Sequence, residues 1–184
     1  MYKIKRWTED LDLTDFYAEA SSKGFLNNSS QSTMIDCFNN EKEWAGWILY
    51  ENDKAIGSVV SHSFDDVMGP GSYRVLARCC ILKGARTSGG LMTASTAIAQ
   101  HQNLTDQFLL PACISWAGNN VYVTSNESTV ASQRFVHRTY FPTLEKTGVV
   151  DKVKEVEYRG HLQTVWKINT DVFYQRLEKF KRWT

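Results

Sequence analysis

The sequence has no excess of basic residues, and this absence argues against one broad class of function. Its 184 residues include 21 basic and 20 acidic side chains, so the formal net charge is +1. Proteins that hold nucleic acid non-specifically usually show a marked basic excess or a basic face. The net charge therefore does not indicate nucleic acid as a partner, although a local basic patch remains open.

The sequence also lacks any recognisable metal-binding pattern. Its four cysteines, at positions 37, 79, 80 and 113, include no Cys-x-x-Cys pair, and its four histidines are scattered. Structural zinc sites need closely spaced Cys or His ligands, and neighbours such as Cys79 and Cys80 point to opposite faces of a strand. We therefore expect no metal, and reduced, mostly buried thiols of the kind found in cytoplasmic proteins.

Long apolar runs and low-complexity segments are missing as well. No run approaches the ~20 residues that span a bilayer, and the first residues lack the apolar core of a secretory signal. With only three prolines and no repeat or linker, the chain is expected to form a single domain over residues 1–184. These absences predict a cytoplasmic protein without a membrane partner. The oligomeric state is left open.

Secondary-structure patterns are present along the whole chain. Residues 2–7 alternate like a strand, and residues 12–24 have helical spacing with Asp12 as N-cap. Residues 44–64 read as a hairpin, and residues 72–82 form the strongest strand pattern. The patterns after residue 82 predict a helix with Pro111 near its first turn, then a short strand and another helix. Two late strands and a closing helix follow. Pro142 is expected to end or kink the second of these helices.

The stretch LKGARTSGGLMTAS follows the strongest strand and combines basic residues with a glycine pair. Arg86, Thr87, Ser88, Gly89 and Gly90 could form a nest of backbone N–H groups that holds phosphate, with the guanidinium on the phosphate oxygens. A flexible exposed loop is the competing interpretation.

Two arginines on the same strand form a second candidate site. Arg74 and Arg78 are four residues apart, so a regular strand places them on one face. Because an unpaired buried charge is costly, they require an anionic substrate or ion pairs with carboxylates such as Asp65 or Asp66.

The junction between the short strand and the next helix carries the remaining candidates. Asn126 and Glu127 could act on a ligand, but Thr124 and Glu127 also have the spacing of a helix-capping box. On the helix, His137 is a titrating group, since histidine changes charge near neutral pH. Tyr140 is a potential acid on the same helix. A solvated surface position is the alternative for His137.

The order of these elements resembles the GNAT superfamily of acyl-CoA-dependent N-acyltransferases. WILYENDKAIGSVVSH is similar to the second and third strands of that family, and RVLARCCILKGARTSGG to its fourth strand and phosphate loop. VYVTSNESTVASQRFVHRTYF is similar to the fifth strand and its following helix. The resemblance implies an α+β, three-layer fold with a mixed, mostly antiparallel central sheet and helices on both faces.

The resemblance also implies a cofactor, a reaction and a set of contacts. Acetyl-CoA or another acyl-CoA would lie between splayed fourth and fifth strands and donate its acyl group to a small-molecule or macromolecular amine. The implied cofactor contacts are Ile81, Leu82, Lys83, Arg86, Thr87, Ser88, Gly89, Gly90 and Asn126. Together with the residues weighed above, the catalytic candidates are Asn126, Glu127, His137 and Tyr140, although Tyr140 lies later in the helix than the general-acid tyrosine of the family. The acceptor-side candidates are Arg74, Arg78 and Asp65.

Several features depart from the family pattern. The family loop is Gln/Arg-x-x-Gly-x-Gly/Ala, whereas here Leu91 stands where the second small residue is expected. The interval before the fifth strand is long, and Gln133 and Arg134 occupy the region of the usual general-acid tyrosine. These departures leave an alternative open, in which the chain is a GNAT-like binding module without acyl-CoA activity that contacts nucleic acid or a protein.

Overall fold

A seven-stranded mixed sheet organises the part of the chain described by the computed structural model, namely residues 1–22, 39–82, 104–129 and 134–181. The strands are β1 (Tyr2–Arg6), β2 (Trp44–Glu51), β3 (Lys54–Ser63), β4 (Tyr73–Ile81), β5 (Val121–Ser125), β6 (Val150–Tyr158) and β7 (His161–Ile168). The helices are α1 (Thr14–Ser22), α2 (Asp65–Met68), α3 (Leu110–Ala117), α4 (Phe141–Lys146) and α5 (Thr170–Lys181). Two π-helical turns, π1 (Thr105–Leu109) and π2 (Val136–Tyr140), lead into α3 and α4.

The strand order is β1-β2-β3-β4-β5-β7-β6, and only the β4–β5 pair is parallel among the described strands. Phe16, Tyr17 and Ala20 of α1 pack on one sheet face, while α3, α4 and α5 cover the other. This arrangement confirms the predicted mixed, mostly antiparallel sheet with helices on both faces.

Local sequence signals explain the first elements. The Asp12 carboxylate accepts a hydrogen bond from the Thr14 amide at 3.2 Å, which fits its predicted role at the start of α1. The β2–β3 hairpin turns at Asn52 and Asp53, whose φ angles are 49° and 67°. Asn and Asp adopt this left-handed region more readily than other non-glycine residues, so the predicted turn is confirmed.

Strand β4 is irregular, and this changes the interpretation of its arginines. Arg74 lies opposite His62 and Ala77 lies opposite Val60, so β4 has one extra residue between these pairs. Leu76, within the extra segment, has a φ of 57°. A second irregularity precedes Cys80. Because such bulges break strict alternation, the spacing of four residues no longer fixes Arg74 and Arg78 on one face, and their shared face stays a prediction.

Each π-helical turn immediately precedes a proline in the first turn of the following α-helix. The amide of Leu110 bonds to the carbonyl of Thr105, and that of Phe141 to that of Val136, five residues back in both cases. Proline lacks an N–H, and its ring clashes with the carbonyl four residues earlier, so a wider turn relieves the conflict. Pro142 therefore does not end the helix, which continues to Lys146.

The predicted capping box is not formed. Thr124 belongs to β5 and its hydroxyl accepts a hydrogen bond from Arg74, while Glu127 pairs with Arg138. The sequence also predicts a short helix around Met34 and a weak helix over residues 92–102, and both lie outside the described residues.

Within the described ranges, no helix is long and apolar enough to cross a bilayer. The same ranges contain no group of three or more His, Cys, Asp or Glu side chains arranged to hold a metal ion.

Gly57 permits the close contact between β3 and β4, and its replacement provides a test. A Cβ atom at this position would lie 3.1 Å from the Cys80 carbonyl oxygen and 3.3 Å from the Ile81 Cγ1. We expect Gly57→Val to lower the free energy of unfolding by about 1–3 kcal/mol, and Gly57→Ala to lower it less, because β4 must move outward. Urea denaturation measures both variants. Equal stability of Gly57→Val and the parent would contradict this packing.

Candidate active site between two diverging strands

Strands β4 and β5 begin as a parallel pair and then separate. Their register includes only Tyr73 opposite Val121 and Arg74 opposite Tyr122. β4 continues along β3 as far as Ile81, and β5 continues along β7 as far as Ser125. Beyond Arg74 and Tyr122, the facing edges of these two described strands form no further ladder with each other. A strand edge of this kind presents backbone donors and acceptors that an extended ligand can bind.

The π2 turn links the two sides of this gap, which we call the β4–β5 cleft. His137 of π2 contacts Ser125 at the end of β5, with 3.0 Å between Nδ1 and Oγ. Tyr140 of π2 is buried, and its pKa is raised well above the usual value by burial and then by nearby Asp106 and Cys79. Because Cys79 belongs to β4, π2 has neighbours on both strands.

Ser125 is the middle member of a hydrogen-bond chain. The indole N–H of Trp166 on β7 donates to the Ser125 hydroxyl oxygen at 2.9 Å. Ser125 and Trp166 are 6% and 3% exposed, whereas His137 is half-buried. The chain therefore runs from the sheet interior, through one hydroxyl group, to an imidazole that reaches solvent.

The two residues after β5 differ in their surroundings. Asn126 is half-buried directly beyond the strand end, the place predicted for it. Glu127 is exposed, and its carboxylate accepts a 2.8 Å hydrogen bond from Arg138. This hydrogen bond is the main cause that lowers the pKa of Glu127, which makes the carboxylate a weaker base.

Arg74 joins three strands at the closed end of the cleft. Its Nε donates to Thr124 Oγ1 on β5 at 3.1 Å, and its Nη1 lies 3.4 Å from His62 Nε2 on β3. Its guanidinium also lies 5.5 Å from the centre of the Tyr158 ring on β6. Arg74 therefore holds β4 and β5 together at the level where their pairing stops.

The histidine beside Arg74 is held neutral. His62 is fully buried, and its Nδ1 lies 2.8 Å from the Ser63 carbonyl oxygen, a pair that requires Nδ1 to donate. Nε2 is then the acceptor for Arg74. Burial is the largest cause that lowers the pKa of His62 to about 4, followed by the positive charges of Arg74 and Arg159. Glu41, 3.5 Å from the ring and paired with Arg159, does not reverse this shift.

Asp65 lies in α2 and has local contacts. One carboxylate oxygen is 3.1 Å from Lys42 Nζ, and the other accepts from the Gly71 amide at 3.0 Å. The Lys42 hydrogen bond is the first cause that lowers the pKa of Asp65. The role predicted for Asp65 at the acceptor side stays a prediction.

The structure describes only some of the remaining cofactor candidates. Ile81 is half-buried at the end of β4, and buried Leu82 donates its amide to the Ile56 carbonyl at 2.7 Å. The predicted phosphate contacts lie outside the described residues: Lys83, Arg86, Thr87, Ser88, Gly89 and Gly90. The backbone of Arg78 belongs to β4, but its side chain is not described.

Sequence reasoning missed Trp166 and gave Ser125 no role of its own. The alternation in β5 was a usable signal, because Val121, Val123 and Ser125 share the face that the later helices cover. The partner of Ser125 lies 41 residues further along the chain and depends on β5–β7 pairing.

Comparisons with known proteins find similarity in structure only. No family model and no curated sequence matches the chain. An uncharacterized protein (bh2621) from Bacillus halodurans superimposes with a TM-score of 0.56 at 12% identity, covering 98% of this chain and 90% of that one. Aminoglycoside acetyltransferase AAC(6')-Ib, solved with coenzyme A and kanamycin, gives 0.55 at 9% identity, covering 96% and 98%. A protein assigned to the acetyltransferases of the GNAT family, from Desulfovibrio desulfuricans, gives 0.54 at 9% identity, covering 90% and 97%.

The neutral state of His62 predicts acid sensitivity of the fold. As pH falls below 6.5, an unfolded histidine binds a proton, whereas folded His62 resists protonation until about pH 4. Protonation therefore stabilises the unfolded state relative to the folded state. As a result, the free energy of unfolding falls by roughly 3 kcal/mol between pH values above 6.5 and pH 4. We expect His62→Gln to show a smaller difference in unfolding free energy between pH 7 and pH 4.5 than the parent.

Urea titrations at the two pH values measure this difference. His161→Gln is the matched control, because His161 is exposed in the β6–β7 hairpin and its loss should leave the parent's acid sensitivity in place. An unchanged pH difference in His62→Gln would contradict the neutral, buried state of His62.

Proposed function

We propose that this chain, which has a GNAT-like fold, is an acyl-CoA-dependent N-acyltransferase that transfers an acyl group to an amine. The observation that carries the proposal is the β4–β5 cleft. β4 keeps its ladder with β3 to Ile81 while its other edge separates from β5 after Arg74. The pantetheine arm of CoA is an extended chain with amide groups, and such a chain can pair with an open strand edge.

The cofactor would bind along the cleft with its phosphates beyond β4. Amide groups of pantetheine would pair with the backbone of β4 up to Ile81 and Leu82, and Asn126 would meet the opposite side of the arm. Lys83 and the loop from Arg86 to Gly90 would then receive the phosphates. Arginine and successive backbone N–H groups are both suited to phosphate oxygens.

The reaction would be a direct transfer from the thioester to the amine. The amine, held near the thioester carbonyl, loses a proton to water and attacks the carbonyl carbon. Backbone N–H groups along the open edge of β4 would stabilise the oxyanion. Collapse of the tetrahedral intermediate breaks the C–S bond, and the electron pair goes to sulfur, which takes up a proton.

The acceptor is proposed only as an amine. Arg74 would line its side of the cleft, opposite the face covered by π2, and a neighbouring positive charge would favour acceptors that also carry an anionic group. Glu127 is a weak candidate base because of its pairing with Arg138. Kanamycin accompanies one structural neighbour and is not assigned to this chain.

We also propose a cytoplasmic location, on the basis of the cysteines. Cys79, Cys80 and Cys113 are thiols rather than disulfides, and Cys79 is exposed. Exposed thiols persist where the environment is reducing.

Calorimetric titration with acetyl-CoA tests the proposal. We expect saturable binding and a rise in melting temperature, because a ligand that binds only the folded state stabilises it. Arg86→Ala should weaken binding about ten- to a hundredfold, the loss expected for a hydrogen bond to a charged group. Lys179→Ala, a charge removal at an exposed position of α5, is the control and should bind as the parent does. Absence of binding at millimolar acetyl-CoA would overturn the proposal and favour the binding-module alternative.

A further inference from the structure

The hydroxyl group of Ser125 has two side-chain hydrogen-bond partners, Trp166 and His137. A serine oxygen has two lone pairs and one hydrogen. The Trp166 indole is a donor only, so its N–H, 2.9 Å away, must occupy one lone pair of Ser125 Oγ. His137 Nδ1, 3.0 Å away, occupies the second lone pair whenever it carries a proton. In that state the Ser125 hydrogen is left to point at a third partner.

The position of Ser125 limits what that third partner can be. Ser125 ends β5 on the side where β5 has already separated from β4, and π2 lies over this end with His137. Ser125 is 6% exposed, so bulk water has little access to its hydroxyl group. A ligand in the β4–β5 cleft is the group that would approach the hydroxyl.

Charged groups of both signs lie around His137. His137 contributes to the lowered pKa values of Glu127 and Glu155, after Arg138 and Lys152 as their respective leading causes. Arg134 and Arg138 belong to the same helical segment as His137. Because the imidazole is half-buried, it can also exchange protons with solvent.

We propose that Ser125 is the proton donor to the leaving thiolate of CoA, and that His137 resupplies its proton. This inference rests on the proposed acyl transfer. When the C–S bond breaks, sulfur takes its electron pair and the hydrogen of Ser125 Oγ. Ser125 in turn takes the Nδ1 proton of the His137 imidazolium, which becomes neutral and is protonated again from water. The products are the amide and CoA thiol, and the amine proton has gone to solvent.

The same contacts argue against Ser125 as a nucleophile. Two donors on Oγ stabilise negative charge on that oxygen, which helps the hydroxyl give up its hydrogen and makes the oxygen less reactive towards a carbonyl. Ser125 is therefore the catalytic residue that touches the leaving group, and His137 acts through it. Tyr140, the other candidate acid, is buried in the apolar core, which hinders the return of a proton from solvent after donation.

The proposal can be tested without knowing the acceptor amine. CoA labelled with carbon-13 next to sulfur is bound to the protein, and the carbon chemical shift follows ionisation of the thiol as pH is varied. A hydrogen bond from Ser125 stabilises the bound thiolate, so we expect the thiol to titrate about one to two pH units lower than in free CoA. Ser125→Ala should return the titration towards that of free CoA, and Ser125→Thr should keep most of the shift.

Two further variants separate the relay from general effects on the fold. His137→Gln should reduce the shift while CoA still binds, and it carries the test if Ser125→Ala does not fold after the Trp166 N–H loses its acceptor. His161→Gln, at an exposed position of the β6–β7 hairpin, should leave the shift unchanged.

The outcomes distinguish the two proposals. If CoA binds but its thiol titrates as in free solution, or if Ser125→Ala binds CoA with an unchanged shift, the relay is overturned and acyl transfer stands. If the parent protein does not bind CoA, the proposed function fails and the relay fails with it.

Discussion

The separation of β4 from β5 is the constraint on which the rest of the site depends. Each strand keeps its outer partner, β3 for β4 and β7 for β5, so the sheet stays continuous only at Tyr73 and Arg74. Extra residues in β4 bend it, and Gly57 lets the bent strand stay against β3. A cleft with backbone groups along its edge results from ordinary strand pairing combined with a local irregularity.

The two sheet faces around this cleft are chemically different. On the side of α1, Arg74 and neutral His62 fix the closed end and present positive charge. On the side of the later helices, π2 brings His137 and Tyr140 over the cleft, and the wide helical turn that places them accommodates Pro142. A ligand in the cleft would therefore have a fixed cation on one side and a proton-exchanging chain on the other.

Much of the fold was predictable because its signals are local. Asp12, the Asn52–Asp53 turn between two apolar runs, and the alternation over residues 2–7 specify their elements within a few residues. The bulges in β4 were not predictable, because they depend on its register with β3, and they remove the strict alternation from which a shared face of Arg74 and Arg78 was predicted. The π-helical turns were missed for a similar reason, since a proline pattern alone does not reveal whether a helix ends or widens.

The candidate site was predicted in part. His137 and Tyr140 were chosen as a titrating group and a potential acid, and the structure brings both to the cleft. The link between Ser125 and Trp166 required the pairing of β5 with β7, which no local pattern contains. Glu127 looked like a capping or catalytic carboxylate, but its contact is an ion pair with Arg138.

The central claim is that the open edge of β4 receives an extended ligand, and amide hydrogen exchange tests it most directly. With saturating acetyl-CoA, we expect slower exchange for the amides of residues 75–82, because new hydrogen bonds form along that edge, and little change in the β6–β7 hairpin. Protection confined to other elements, or no protection along β4 while acetyl-CoA is bound, would contradict the account.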